Sequence, residues 1–97
     1  LVIFSHGFSG CNTQSKFLME AMARDGYLVV APNHKDNKCG RAPIGRPEEK
    51  FSNPEAWSDQ TYQDRRDDIN ALIEGLRSSK YASAIDWQSV ALVGHSL

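Results

Sequence analysis

The chain has 97 residues, of which 40% are hydrophobic and 24% are charged, and its formal net charge is −1. A near-neutral charge argues against nucleic acid and against an anionic membrane surface as partners. No apolar run approaches the roughly 20 residues that a membrane span needs. The composition is typical of a globular protein without a membrane span.

Three short apolar runs predict β-strands at residues 1–4, 27–31 and 90–93. None of them alternates polar and apolar residues, and each ends at a turn rich in glycine, proline or polar residues. Short uninterrupted runs of this kind are typical of strands that are buried on both faces, as in a parallel sheet.

A first helix is predicted over residues 15–25, between the first two strands. Ser15 is a candidate N-cap, and Gly26 stands where a helix ends in the left-handed conformation. Helical spacing places four apolar residues on one face. These residues are Phe17, Leu18, Ala21 and Met22.

A second helix is predicted over residues 59–77, before the third strand. Residues 33–57 between the second strand and this helix show no periodicity, and Asn53-Pro54 predicts the start of a short helix there. A loop of this length is often functional. The apolar face of the second helix is formed by Tyr62, Ile69, Leu72, Ile73 and Leu76.

Strands that alternate with helices predict an α/β fold, with right-handed crossovers and a mostly parallel sheet. We expect residues 1–97 to form part of one domain, a three-layer α/β/α sandwich. The chain opens at Leu1 rather than at Met and stops at Leu97, directly after a strand. We therefore expect it to be the N-terminal part of a longer catalytic domain.

The two cysteines, Cys11 and Cys39, fit no metal-binding spacing. Because disulfides are rare in the cytosol, we favour two unpaired loop thiols. The alternative is one disulfide that joins the loops after the first two strands, which requires an exported protein. No signal-peptide pattern is visible, and the compartment stays open, with the cytoplasm favoured.

Residues 94–97, Gly-His-Ser-Leu, follow the third strand and carry the strongest chemical signal. A serine is a weak nucleophile, and it must stand clear of the backbone beside a base. A sharp turn from strand to helix achieves this when a glycine lies two positions before the serine, as Gly94 does before Ser96. The competing interpretation is that Ser96 merely caps a helix.

The second signal is Ser5-His6-Gly7-Phe8, after the first strand. Acyl transfer places negative charge on a carbonyl oxygen, and preorganised backbone N–H groups stabilise that charge. We predict that the N–H groups of Phe8 and Leu97 are the two donors. If the second and third strands flank the first, both signals meet at one edge of the sheet. We interpret His6 as a structural residue that holds the turn.

Two other assignments are less favoured. His95 adjoins Ser96, but a sharp turn directs its side chain away from the serine hydroxyl, so we interpret it as a packed or hydrogen-bonded residue. His34 and Asp36 resemble half of a catalytic triad. Their place after the second strand favours a role in stabilising the loop.

Three segments carry a resemblance to a known family: V-I-F-S-H-G-F at 2–8, D-G-Y-L-V-V-A-P-N-H-K-D at 25–36 and V-A-L-V-G-H-S-L at 90–97. Together they resemble the α/β-hydrolase superfamily, and within it the dienelactone hydrolases and the platelet-activating-factor acetylhydrolase-like esterases. The resemblance implies ester hydrolysis, with Ser96 as nucleophile and the oxyanion hole at Phe8 and Leu97. It also implies that the acid and the histidine of the triad follow residue 97.

The leading hypothesis is a serine hydrolase that cleaves small carboxylic esters through an acyl-enzyme. An acyltransferase or a thioesterase on the same fold is an alternative, because a fold does not fix the substrate. A non-catalytic binding module with a hydrolase-like fold is another. No cofactor or metal is expected, and the oligomeric state stays open.

Overall fold

The computed structural model describes residues 1–39 and 59–96. The short helix predicted at Asn53-Pro54 lies outside these residues, and so does Leu97. The described part is an α/β arrangement of a three-stranded parallel sheet and two α-helices. No helix in this part is long and apolar enough to cross a membrane.

The sheet has the strand order β2-β1-β3, so the first strand of the sequence lies in the middle. β1 is Val2–Ser5, β2 is Val29–Val30 and β3 is Ala91–Gly94, and both neighbours run parallel to β1. This arrangement meets the condition set out in the sequence analysis, and it brings the ends of β1 and β3 together. β2 is shorter than predicted and leaves Tyr27 exposed.

The hydrophobic core lies between β1 and the second helix, α2, which spans Asp59–Arg77 as predicted. Ile3 is 1% exposed, and Leu76 of α2 packs in the same cluster. Tyr62 of the predicted apolar face is instead half exposed. The partly buried residues packed against this core are Leu28, Val30, Ile69, Leu72, Ile73 and Trp87.

The first helix, α1, spans Lys16–Arg24. Gly26 has a φ of +98°, so the helix is followed by a left-handed glycine as predicted. Ser15 occupies the cap position, but its side chain makes no capping hydrogen bond. The predicted apolar face is not buried within the described residues, because Phe17 is 77% exposed and Leu18 is 37% exposed.

β3 also differs from the expectation of a strand buried on both faces. Leu92 is 64% exposed, whereas its neighbour across the ladder, Ile3, is buried. β3 is an edge strand of the described sheet, and the core that α2 forms with β1 contains no residue of β3. The apolar run of β3 therefore has no described partner layer.

The two cysteines are paired, contrary to the interpretation that we favoured from the sequence. Cys11 and Cys39 form a disulfide with a Cα–Cα distance of 5.6 Å. The sequence argument rested on the compartment, which residue types cannot reveal, whereas the fold brings the loops after β1 and β2 side by side. Lys38 N–H donates to the carbonyl oxygen of Gly10 at 3.3 Å, beside this bridge.

We predict that Ile3→Ala lowers the free energy of unfolding by about 2–5 kcal/mol, because it leaves a cavity in the middle strand. Ile3→Val removes one methylene and should cost about 0.5–1.5 kcal/mol. Urea unfolding of the two variants measures both changes. Lys16→Ala is the control, since its exposed ion pair with Glu20 should contribute about 0–1 kcal/mol. Equal losses in all three variants would contradict the position of the core.

Candidate functional site

Ser96 lies just beyond the carboxyl end of β3, outside any regular element. It is exposed, and its φ is +55°, in the left-handed region that few residues other than glycine adopt. This conformation costs an L-residue about 1–2 kcal/mol. Such strain persists only where the surrounding structure holds the residue in place, and it is concentrated at functional sites.

The loop after β1 lies directly against this serine. A Cβ placed on Gly7 would come within 3.3 Å of the Cβ of Ser96 and within 3.0 Å of the carbonyl oxygen of His95. The sheet explains the closeness, because Ser5 pairs with Gly94 and its carbonyl oxygen accepts the N–H of His95 at 3.1 Å. The two segments predicted to carry chemistry are therefore neighbours.

A tight turn follows Gly7. The N–H of Gly10 donates to the carbonyl oxygen of Gly7 at 2.9 Å, and Ser9 has a φ of +58°. A positive φ at the third position is what a type II turn requires. The N–H of Gly7 donates to Oε1 of Gln14 at 2.8 Å. Both polar groups of the Gly7 backbone are thus engaged within the loop.

His6 is fully buried and uses both ring nitrogens. The backbone N–H of His34 donates to its Nε2 at 2.9 Å, so this nitrogen carries a lone pair. The proton therefore sits on Nδ1, which donates to the carbonyl oxygen of Gly7 at 2.8 Å. These bonds agree with the prediction of a structural histidine that holds the turn.

His34 is 1% exposed and also uses both nitrogens. Its Nδ1–H donates to Oδ2 of Asp68 at 2.9 Å, and its Nε2 accepts the hydroxyl of Ser5 at 2.8 Å. Burial lowers the pKa of His34 below 6.5, and the hydrogen bond to Asp68 opposes that shift. The ring packs 4.9 Å from the ring of His6, centroid to centroid.

Arg65 of α2 reaches the same loop. Its Nη1 donates to the carbonyl oxygen of His6 at 2.6 Å and, at 3.4 Å, to Oγ of Ser5. Its Nη2 donates to Oδ2 of Asp36 at 2.7 Å, and both side chains of this ion pair are about 15% exposed. Asp36 and His34 therefore hold the loop together, as the sequence predicts.

The sequence analysis missed Arg65 and Asp68, which complete this network. A signal was present, because helical spacing places both on the same side of α2 as Ile69 and Leu72, which face the core. Charged residues on a core-facing side need buried partners. Of the predicted site residues, the structure brings Ser96 beside the loop that contains Phe8, while Leu97 lies outside the described residues.

Within residues 1–39 and 59–96, no group of three or more His, Cys, Asp or Glu side chains is arranged to hold a metal ion.

Comparison with known proteins identifies the family. The family model described as platelet-activating factor acetylhydrolase, isoform II, matches residues 1–67, which is more than half of the chain. The match contains β1, β2 and the loops that carry His6 and His34, and it ends within α2, before Ser96. No curated protein and no solved structure matches the chain. The resemblance to platelet-activating-factor acetylhydrolase-like esterases is confirmed.

We predict that Gly7→Ala destabilises the protein by about 1–3 kcal/mol, because the added methyl group presses on the His95 backbone. Gly75→Ala is the matched control. Nothing lies within 4 Å of that position, and alanine in a helix is about 0.5–1 kcal/mol more favourable than glycine. Thermal unfolding should therefore shift in opposite directions for the two variants. A stabilising Gly7→Ala would contradict the close approach.

We predict that stability falls as the pH drops below about 6.5. The folded state holds the pKa of His34 below that of a free imidazole, so the unfolded chain takes up this proton first. The stabilisation is present above the unfolded pKa of about 6.5 and is lost as the pH falls below it towards the lowered pKa of the folded state, with a slope of at most about 1.4 kcal/mol per pH unit. Urea unfolding between pH 5 and 7.5 measures it. His34→Gln should flatten this part of the profile, and an unchanged slope would refute the assignment to His34.

Proposed function

The chain belongs to the platelet-activating factor acetylhydrolase, isoform II, family, and from this premise we propose that it is the nucleophile-bearing part of a serine hydrolase that cleaves small carboxylic esters. The observation that carries the proposal is the strained Ser96 at the exit of β3, packed against Gly7. A family described as an acetylhydrolase supports hydrolysis in general, and in this proposal Ser96 is the nucleophile that carries it out.

The turn at Ser96 has the properties of a nucleophile elbow. A positive φ at the serine, a strand before it and Gly94 two positions earlier are the features of that strained turn. They lift the hydroxyl off the sheet, where both a substrate carbonyl and a base can reach it. In our proposal Ser96 attacks the carbonyl carbon of the ester while a base takes the proton of its hydroxyl, and the ester C–O bond then breaks. The alcohol leaves with that proton, and water hydrolyses the acyl-enzyme to release the carboxylic acid and the free serine.

The negative charge on the carbonyl oxygen needs donors in the same place. We assign them to the backbone N–H groups of Phe8 and Leu97, the residues after Gly7 and after the nucleophile. The contact between Gly7 and Ser96 supports this assignment for Phe8, because it brings the loop within reach of a tetrahedral intermediate on Ser96. No metal or organic cofactor takes part in this mechanism.

The base for Ser96 requires an imidazole with a free nitrogen. Of the three histidines in the chain, His6 and His34 have both ring nitrogens in hydrogen bonds inside the loop network. His95 is exposed rather than packed, its Nδ1 lies close to Gly7, and a sharp turn at Ser96 directs its side chain away from the serine hydroxyl. We therefore propose that the catalytic histidine and its acidic partner come from residues that follow Leu97 in the full-length protein.

The same proposal gives the exposed apolar surfaces a role. Leu92 on β3 and Phe17 on α1 are largely exposed in the described part. In a complete three-layer α/β-hydrolase sandwich, as in dienelactone hydrolases, further strands and helices would cover such surfaces. Extension of the sheet beyond the edge strand β3 would also pair its open backbone groups.

Two other functions use the same fold. An acyltransferase or a thioesterase would keep Ser96 and differ in the acceptor or in the bond that is cleaved. A non-catalytic binding module would keep the fold and lack the base. The left-handed conformation of Ser96 favours the catalytic alternatives because it occurs together with Gly94 two positions earlier, a preceding strand and exposure of the serine. The family description favours hydrolysis among them.

We predict that Ser96→Ala abolishes ester hydrolysis by the full-length protein, with at least a 10³-fold loss of kcat for p-nitrophenyl acetate. A fluorophosphonate probe should label the parent protein at Ser96 and should not label the variant. Ser83→Ala, at an exposed serine in the short 3-10 turn Ala82–Ala84 before β3, is the matched control and should keep both properties. Full activity in Ser96→Ala would refute the assignment of the nucleophile.

A second control is the 97-residue chain by itself. Because His6 and His34 are engaged elsewhere, this chain should show no turnover above that of its own Ser96→Ala variant. Serine-dependent turnover would mean that His95 acts as the base, which contradicts our interpretation of that residue. Labelling of the full-length protein without ester turnover would instead favour the acyltransferase.

A further inference from the structure

A second set of serine, histidine and aspartate side chains lies at the carboxyl end of β1. The hydroxyl of Ser5 donates to Nε2 of His34 at 2.8 Å, and Nδ1–H of His34 donates to Asp68 at 2.9 Å. This is the order of atoms found in the catalytic triad of serine proteases, where Nε2 of the histidine faces the serine and Nδ1 faces the aspartate. The role of this chain of hydrogen bonds follows from what surrounds it.

The surroundings of Ser5 do not suit a nucleophile. Ser5 is the last residue of β1, and its carbonyl oxygen accepts the N–H of His95 as a regular continuation of the ladder. Its hydroxyl lies between the buried ring of His34 and Nη1 of Arg65. A carbonyl carbon would have to approach Oγ within about 3–3.5 Å, beside two side chains that already contact that atom.

What the network does reach is the backbone of the neighbouring loop. Nη1 of Arg65 donates to the carbonyl oxygen of His6, and the N–H of Gly7 donates to Gln14 on the opposite edge of the same peptide plane. Because a peptide unit is planar, bonds on both edges fix its orientation. Arg65 therefore sets the direction in which the chain enters Gly7.

The next peptide unit is held in a related way. The carbonyl oxygen of Gly7 accepts both Nδ1–H of His6 and the N–H of Gly10. The N–H of Phe8 belongs to this same plane and points away from that oxygen. The proposed oxyanion donor is the N–H of Phe8. Its direction is set by the hydrogen bonds to the carbonyl oxygen on the opposite edge of the same peptide plane, and Arg65 anchors the loop that contains this peptide to α2.

We infer that Arg65 is a positioning residue for the proposed oxyanion hole, which it serves by anchoring the His6–Gly7 peptide to α2 while Asp36 holds its guanidinium. This inference rests on the proposed function of Ser96 and Phe8. Ser5, His34 and Asp68 support the same loop from below. The guanidinium of Arg65 is suited to this role, because it is planar and carries several N–H donors. It can therefore bind a backbone oxygen and a carboxylate at the same time.

The test compares Arg65→Gln and Arg65→Lys with Arg66→Gln in the full-length protein. Arg66 is the matched control, since it is the next residue of α2, is 64% exposed and pairs with its neighbour Asp67. For each variant, kcat and KM for p-nitrophenyl acetate are measured, together with thermal unfolding. The inhibition constant of a trifluoromethyl ketone, which forms an oxyanion on the serine, reports the oxyanion hole directly.

Arg65→Gln should lower kcat by about 100-fold, the cost of a displacement near 1 Å, with KM changed less than about 3-fold. It should weaken the trifluoromethyl ketone by the same factor as kcat/KM. Arg65→Lys should recover part of both losses, because an ammonium can still reach one of the two acceptors. Arg66→Gln should match the parent protein in all of these measurements.

Several outcomes would overturn the inference. One is a lower melting temperature in Arg65→Gln with kcat and the inhibition constant unchanged, which would make Arg65 structural only. Another is fluorophosphonate labelling that survives in Ser96→Ala and disappears in Ser5→Ala, which would make Ser5 the nucleophile. Loss of labelling in Ser96→Ala upholds the proposed function whatever the Arg65 variants show, so the two failures are distinguishable. If Arg65→Gln does not fold, the same comparison is made with Arg65→Lys and Asp36→Asn. Inhibitor binding that weakens by the same factor as kcat/KM supports the inference, and unchanged kcat and inhibitor binding overturn it.

Discussion

The loop at residues 5–8 depends on two buried imidazole rings, and both nitrogens of each ring are already in hydrogen bonds. His6 and His34 each place one nitrogen as a donor and the other as an acceptor. A buried polar group without a partner costs about 1–3 kcal/mol, so each ring stays in place only while all of its partners do. The partners come from β1, from the loop after β2 and from α2. The network thereby joins three segments that are far apart in the sequence.

The same constraint explains why α2 carries charge on a side that is otherwise apolar. Leu72 and Leu76 pack on the sheet in its second half, whereas Arg65 and Asp68 meet the polar end of β1 in its first half. The helix thus changes from polar to apolar contacts as it passes from the carboxyl edge of the sheet towards its middle. The disulfide joins the loops that follow β1 and β2 at the same edge.

The sequence predicted the features that depend on nearby residues. The bounds of α2 and the left-handed Gly26 follow from periodicity and from helix termination, both of which act within a few positions. What each surface contacts depends on residues far away in the chain. The exposure of Phe17 and Leu92 and the pairing of the cysteines could not be read from local pattern for that reason.

Two serines at the same edge of the sheet show how position governs chemistry. Ser5 has a histidine and an aspartate in the order of a catalytic relay, but it lies inside the ladder and under Arg65. Ser96 pairs with no buried histidine, yet it stands just past the strand, exposed and in a strained conformation. Hydrogen-bond partners alone would rank Ser5 first. In our proposal the backbone reverses that ranking, because a nucleophile needs access more than it needs a partner already in place, and a partner can be supplied from another part of the fold.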